Sequence, residues 1–357
     1  LASNEKWPSG MQAAAAAIRS SGHAAGIWVA PMTAEATGYI CRDHPDWLLR
    51  SLDGEPIVKM KGDANAGYAR HDRFALDLSH PGVRDHIRTV FTTLREWGFT
   101  AYKTDFMDWG YADSCEVRRH TPGKTGAMWF DEALRIIREA IGDDSYWLAC
   151  ISYFEPFVGY CDAMRVSSDV SESWNGADIK TNDGIAGGIM NVLQESFHDQ
   201  VFNNILWAND PDCIFLRDHD LGLDDDEVES LALWSAILGG TVTVSDFFDR
   251  LPPRRLALWR FLRSLDGGER TARLPYWGDP EQPVYVAART LPDGATAVLC
   301  LNPWDRAHTG RFPLCDLVGK ASAGVASWTP EGTGEPHMSD HINVGLAPHH
   351  SRLFRVE

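Results

Sequence analysis

The chain has 357 residues, 44% of them hydrophobic, enough to bury one large core and a smaller one, so a main domain with an appendage is expected. Its 33 Lys and Arg against 50 Asp and Glu leave a formal charge of −17, a field that repels nucleic-acid phosphate and anionic membrane surfaces and suits a neutral substrate. No apolar run approaches the roughly 18 residues that span a bilayer, the seven Cys show no CxxC pair, and no HExxH or HxH pattern marks a metal site.

From these features neither a membrane partner, a disulfide scaffold nor a metal is expected, and the expected location is the reduced cytoplasm. The 14 Trp are a first hint of sugar-stacking platforms, although most Trp side chains serve cores. Leu1 in place of Met, with a helix almost at once, leads to the expectation that upstream sequence is missing.

In chain order, Ser9 and Gln12 have capping-box spacing ahead of an Ala-rich run and Gly22 supplies a stop, which predicts a helix over 10–21. The apolar run AGIWVAP, 25–31, reads as a strand. The polar stretch 33–73, with HPDWLLRSLDGEP and GDANAGYAR, is long enough to be a working loop. Val83, Ile87, Val90, Phe91 and Leu94 recur at helical spacing, so 79–98 is expected to be a helix closed by Gly98 and followed by the strand FTAYKTDF.

The alternation continues with helix MWFDEALRIIREAIG, strands SYWLACIS and DAMRVSSD, helix IAGGIMNVLQESFHDQVF and strand ILWANDPD. Helix DDEVESLALWSAILGG, with Asp224 as its N-cap, leads to strand TVTVSD. Helices alternating with short apolar strands predict a parallel sheet.

Six such strands are counted, so the fold class expected is α/β, a (β/α)8 TIM barrel lacking its first two strands in this chain. A doubly wound open sheet competes, but no GxGxxG turn follows the first strand. After the helix PPRRLALWRFLRSL come PVYVAART, TAVLCLNP and SRLFRVE, separated by Gly, Pro, Asp and Asn, which predict an antiparallel C-terminal β-sandwich. The expected domains are a partial barrel over 1–266 and the β-sandwich over 267–357.

In such barrels the acting side chains stand at the carboxyl ends of strands. Asp105 closes AYKTD, with Lys103 two residues earlier on the same face, and Asp169 follows AMRVSS, with Arg165 four residues earlier. Two carboxyl groups are what glycosidic bond cleavage requires, one to attack or support the anomeric carbon and one to protonate the leaving oxygen. Lys103 and Arg165 can donate to sugar hydroxyls, and Asp169, as the acid, is expected in a less solvated place than Asp105. Glu35, Asp108, Glu155, Glu172 and Asp246 are rival carboxylates near strand ends. Asn209 and Asp210 are expected in a buried hydrogen-bond network.

KTDF at 103–106 and RVSSD at 165–169 resemble the K-x-D nucleophile and R-x-x-x-D acid/base motifs of the α-galactosidases of glycoside hydrolase family 36. GIWVAP at 26–31, HPDWLLR at 44–50 and NDPDC at 209–213 are also similar to stretches of bacterial members. The resemblance runs from Trp7 to Leu262. It implies a cofactor-free, retaining exo-glycosidase that removes terminal α-linked galactose through a covalent galactosyl-aspartate.

Carried over, Asp105 is the nucleophile, Asp169 the acid/base, and Lys103 and Arg165 bind hydroxyls. Trp28 matches a subsite aromatic, Cys150 a pocket-lining Cys, and Trp174 is a further candidate wall of the pocket. The family's Asp-Asp pair, which grips galactose from an earlier strand, has no counterpart before GIWVAP. α-N-acetylgalactosaminidase, raffinose-synthase-like transglycosylase and a non-catalytic carbohydrate-binding fragment stand as alternatives. The expected partner is a small carbohydrate, and oligomer formation is left open.

Overall fold

The computed structural model describes residues 4–63, 70–111, 117–176 and 187–357. Residues 64–69 of the GDANAGYAR stretch, and the first two residues of the helix expected from position 185, lie outside them. The contacts group into two compact units, Leu1–Met164 and Arg165–Glu357. The expected boundary at 266/267 falls inside the second unit, where helices give way to antiparallel strands.

In the first unit the Met11–Ser20 helix begins behind Gly10, whose φ of 86° turns the chain, and no side chain caps it. The expected capping box of Ser9 and Gln12 does not form, because Ser9 lies one residue before the cap position. Gly22 takes the expected left-handed conformation at φ 87°.

Strand Gly26–Val29 pairs in parallel with Ala101–Thr104, which pairs in parallel with Tyr146–Ala149, which pairs in parallel with Ala163–Arg165. Every strand therefore ends at the same edge. Helix Pro81–Glu96 buries Val83, Ile87, Val90, Phe91 and Leu94, the stripe given by its sequence period. Helix Gly126–Ile141 starts from Thr125, whose hydroxyl accepts from Met128 N at 3.3 Å. A buried indole joins two strands, since Trp147 Nε1 donates to Thr104 Oγ1 at 2.8 Å.

The long polar stretch has structure of its own. Strand Arg73–Ala75 lies between Thr33–Glu35 and Val58–Met60 in an antiparallel sheet, and His44 stacks on Trp47 at 4.0 Å. Trp47 packs on Gly82, where a Cβ would come within 2.7 Å of the indole nitrogen, so the helix start has no room for a side chain there.

In the second unit helix Ile189–His198 runs into the 3-10 turn Asp199–Phe202 and strand Ala208–Asp210, and Cys213–Ile214 pairs in parallel with Thr243–Val244. Helix Asp225–Leu238 has the cap expected at Asp224 and a full capping box, with Glu227 returning to the Asp224 N–H at 2.9 Å. Beyond helix Pro253–Leu262, strands Tyr285–Thr290, Thr296–Leu301, Ser351–Val356 and Ala323–Thr329 form an antiparallel sheet, and His308–Pro313 pairs with His341–Leu346 in a second.

Every residue of Thr296–Leu301 is buried because both faces of the strand are covered. Val298 and Cys300 pack with Phe312, Ile342 and Val344 of the second sheet, whereas Ala297, Leu299 and Leu301 share a core with Leu231 and Trp234 of helix Asp225–Leu238. This double burial ties the antiparallel sheet to the helical part of its unit. Replacing Asp224 with Ala should remove the cap of the central helix, cost about 1 kcal/mol and lower the melting temperature by about 2–4 °C, measured by thermal denaturation.

Candidate active site

The parallel register of the first unit assembles one half of the candidate chemistry. Trp28 pairs with Lys103, and Lys103 with Leu148, so these side chains share a face with the residues two positions on. Asp105 and Cys150 are those residues, and with Trp28 and Lys103 they meet at the carboxyl edge of the strands. The Asp105 N–H donates to Val29 O at 2.9 Å and the Cys150 N–H to Thr104 O at 2.8 Å, so the pairing extends through both.

Two N–H groups fix the Asp105 carboxylate. Phe106 N donates to Oδ1 at 2.8 Å and Trp28 Nε1 to Oδ2 at 3.0 Å. Phe106 has φ 53°, a left-handed turn that redirects the chain just past Asp105, and its ring meets Trp28 edge-on at 6.5 Å. Trp28 is 52% exposed, so its face remains available to a ligand while its N–H is committed to Asp105. Cys150 is buried. Asp108, one turn beyond, has its carboxyl pushed up by burial and by the Asp105 charge, against Lys59, and its buried Oδ1 has no hydrogen-bond partner among the described residues.

The second unit holds Arg165 and Asp169. Arg165 Nη2 donates to Asp169 Oδ1 at 2.8 Å, to Ser168 O at 2.7 Å and to Asp212 Oδ2 at 2.6 Å, and Nε to Ser167 Oγ at 3.3 Å. Val170 N also donates to Asp212 Oδ2, at 2.9 Å. Two carboxylates thus clamp one buried guanidinium, and the chain on both sides of Asp169 is anchored.

Asp212 is a residue that sequence reasoning missed. It is the second Asp of NDPDC, two residues past the strand end, and its φ of 75° was the conformational clue that only a structure reveals. Glu195 was missed too, and it accepts from Ser168 N at 2.6 Å and from the Ser168 hydroxyl. The expectation that Asp169 is poorly solvated is not met, because its side chain is 76% exposed and paired with a cation.

Trp174 lies inside the second unit. It is buried, donates its indole N–H to Pro303 O at 3.0 Å, and stacks on His349 at 4.3 Å. His349 is held between Glu227 and Asp305 at 2.6 and 2.9 Å. Here the indole packs and anchors the chain beyond Asp169 and turns no open face to solvent. Of the rival carboxylates, Glu172 and Asp246 share Arg217, Glu35 accepts from Thr37, and Glu155 opens a short 3-10 turn.

Asn209 sits in the expected network. Its N–H donates to Asn203 Oδ1 at 3.0 Å and its amide to Asp199 O at 2.8 Å. No group of His, Cys, Asp and Glu able to hold a metal occurs among the described residues.

Residues 1–116 match the melibiase family profile. Over 104 residues, 29% of this chain, the sequence is 31% identical to alpha-galactosidase 2 of Pediococcus pentosaceus, of which the match covers 12%. The α-galactosidase of Thermus thermophilus, solved with stachyose, superposes with a TM-score of 0.60 at 25% identity over 73% of this chain, which spans about half, 54%, of that enzyme's chain. In fold alone, a GH27 β-L-arabinopyranosidase of Geobacillus stearothermophilus superposes with a TM-score of 0.71 at 15% identity, covering 98% of this chain and 77% of that one.

Beneath the Asp169 segment, burial first and the Glu195 carboxylate second raise Asp199 from 3.8 to about 6. The folded state therefore binds this proton more tightly than the unfolded state. That contribution is complete below about pH 4 and is lost as pH rises through about 6. Asp199→Asn should be more stable than the unaltered chain above pH 6, by about 1–3 °C in melting temperature, with the gap closing toward pH 4. Melting curves across that range check this, and a gap that widens in acid contradicts it.

Proposed function

We propose that the chain carries the chemistry of a retaining exo-α-galactosidase of the family 36 type. The observation that carries this is the Asp105 carboxylate, held at a parallel strand end by the Trp28 and Phe106 N–H donors, within the stretch similar to melibiase. The parallel strands are read as part of a (β/α)8 barrel, a reading supported by the fold likeness to glycosidase structures.

In this mechanism Asp105 attacks the anomeric carbon of the terminal galactose as the glycosidic bond breaks, giving a galactosyl-aspartate ester. Asp169 supplies the proton to the leaving oxygen. It then takes a proton from the water that attacks the same carbon, releases galactose and restores the Asp105 carboxylate. The two displacements return the original anomeric configuration.

Before substrate binds, Arg165 holds Asp169, and a sugar hydroxyl that takes over this donor would free Asp169 to take up from solvent the proton that it then gives to the leaving oxygen. Asp212 keeps the guanidinium in place during that exchange. Trp28 offers its exposed face to the ring of the sugar, and Lys103, its partner in the strand register, donates to hydroxyls in this reading. The substrate is a neutral oligosaccharide, in keeping with the chain's charge of −17.

Hydrolysis of p-nitrophenyl α-D-galactopyranoside, with the product anomer followed by NMR, tests this reading. Asp105→Asn should lower turnover by more than about a thousandfold, and Asp105→Gly with azide should recover part of it as galactosyl azide. Undiminished hydrolysis in Asp105→Gly would remove Asp105 from its role. The corresponding α-N-acetylgalactosaminide in the same assay decides the sugar, and excess acceptor oligosaccharide decides hydrolysis against transfer.

A further inference from the structure

One cleft among the described residues is lined by none of the side chains given a part in catalysis or sugar contact above. Its volume is about 670 Å3, within the roughly 300–1,000 Å3 of small-molecule sites. It lies wholly in the second unit, lined by the end of helix Ile189–His198, the 276–286 segment and the turn at Trp304–Arg306.

Its walls are aromatic and rigid. Phe197 and Tyr285 stack at 4.4 Å with their planes 16° apart, and Tyr285 is backed by the buried Trp234 at 5.7 Å. Trp304 spends its one polar atom on a 2.8 Å hydrogen bond to Pro283 O, which holds the ring in a single pose while 37% of the residue stays exposed. Such a face suits the C–H side of a pyranose ring.

The polar groups among these rings are of mixed kind. Asp279 and Asp305 carry the charge opposite to Arg306, Asp305 being already held by His349 and Asn175, and Gln282 accepts from Val284 N at 3.2 Å, which leaves its NH2 end as the donor toward a ligand. An ion of either sign would meet charges of both signs here. A purely apolar ligand would strip water from these groups without replacing their hydrogen bonds. Vicinal hydroxyls above aromatic faces satisfy both demands, and the overall charge of −17 disfavours an anionic ligand.

We propose that this cleft is a second carbohydrate-binding site, taking a neutral oligosaccharide apart from the residues that carry the proposed hydrolysis. Its occupant is held by stacking on Trp304 and by contact with the wall that the Phe197 and Tyr285 rings form, with Gln282, Asp279 and Arg306 reading hydroxyls. Only the choice of sugar rests on the proposed function, because binding requires no turnover.

Calorimetric titration of the full chain with raffinose tests it, in an Asp105→Asn background so that the sugar persists. Saturable binding in the millimolar range or tighter is expected. Trp304→Ala should weaken it by at least about tenfold, and Gln282→Ala, a change at the cleft surface that spares the folded core, by about threefold or more. Hydrolysis of p-nitrophenyl α-D-galactopyranoside by Trp304→Ala, with Asp105 intact, should stay within about twofold of the unaltered chain. Absence of saturable binding overturns the site, and so does binding that survives both cleft changes but disappears in Trp28→Ala. Cleft-dependent binding by a chain that hydrolyses nothing leaves the site standing and removes the hydrolase reading alone.

Discussion

The parallel register between Gly26–Val29 and Ala101–Thr104 is the constraint on which the first half of the candidate site depends. Parallel pairing levels the carboxyl ends of the strands, so that the Val29 carbonyl receives the Asp105 N–H and the neighbouring indole reaches the Asp105 carboxylate. Shifting the pairing by one residue would turn Lys103 and Asp105 to the helix-covered face and Tyr102 and Thr104 away from it. Tyr102 is 1% exposed and Thr104 binds the Trp147 indole, so the core of the unit opposes such a slip. Hydrophobic burial on one face thereby holds the chemistry on the other.

The second unit reaches the same end by ionic means. Arg165 is buried, and a buried guanidinium is stable only when its donors are met. Asp212 and Asp169 meet them from two places in the chain, with Ser168 O, and Glu195 ties down the Ser168 amide between them. Asp169 is therefore exposed yet not free to wander. Arg165 holds its carboxylate, and the stacked Trp174 and His349 hold the chain beyond it.

Much of this was legible in the sequence because periodicity reports burial. The stripe of Val83, Ile87, Val90, Phe91 and Leu94, the cap at Asp224 and the six short strands all follow from one-dimensional pattern. The placement of Trp28, Lys103, Asp105 and Cys150 on one face was also within reach, since strand alternation and strand ends are local properties. What escaped depends on distant contacts or unusual backbone angles. Asp212 acts through a left-handed turn and a partner 47 residues away, Trp174 is sequestered by Pro303 and His349, and Gly10 takes the cap position in place of Ser9, so that no capping box forms. The rigidity of the aromatic cleft at Trp304 arises from a hydrogen bond 21 residues distant, for which the sequence carries no signal.

The central claim is that Asp105 becomes covalently bonded to the sugar, and trapping that bond tests it most directly. Incubation with 5-fluoro-α-D-galactopyranosyl fluoride, followed by proteolysis and peptide mass spectrometry, should find one fluorogalactosyl group on the peptide containing Asp105 and nowhere else. Labelling of a different carboxylate, or rapid turnover of the reagent with inversion and no adduct, would contradict the account.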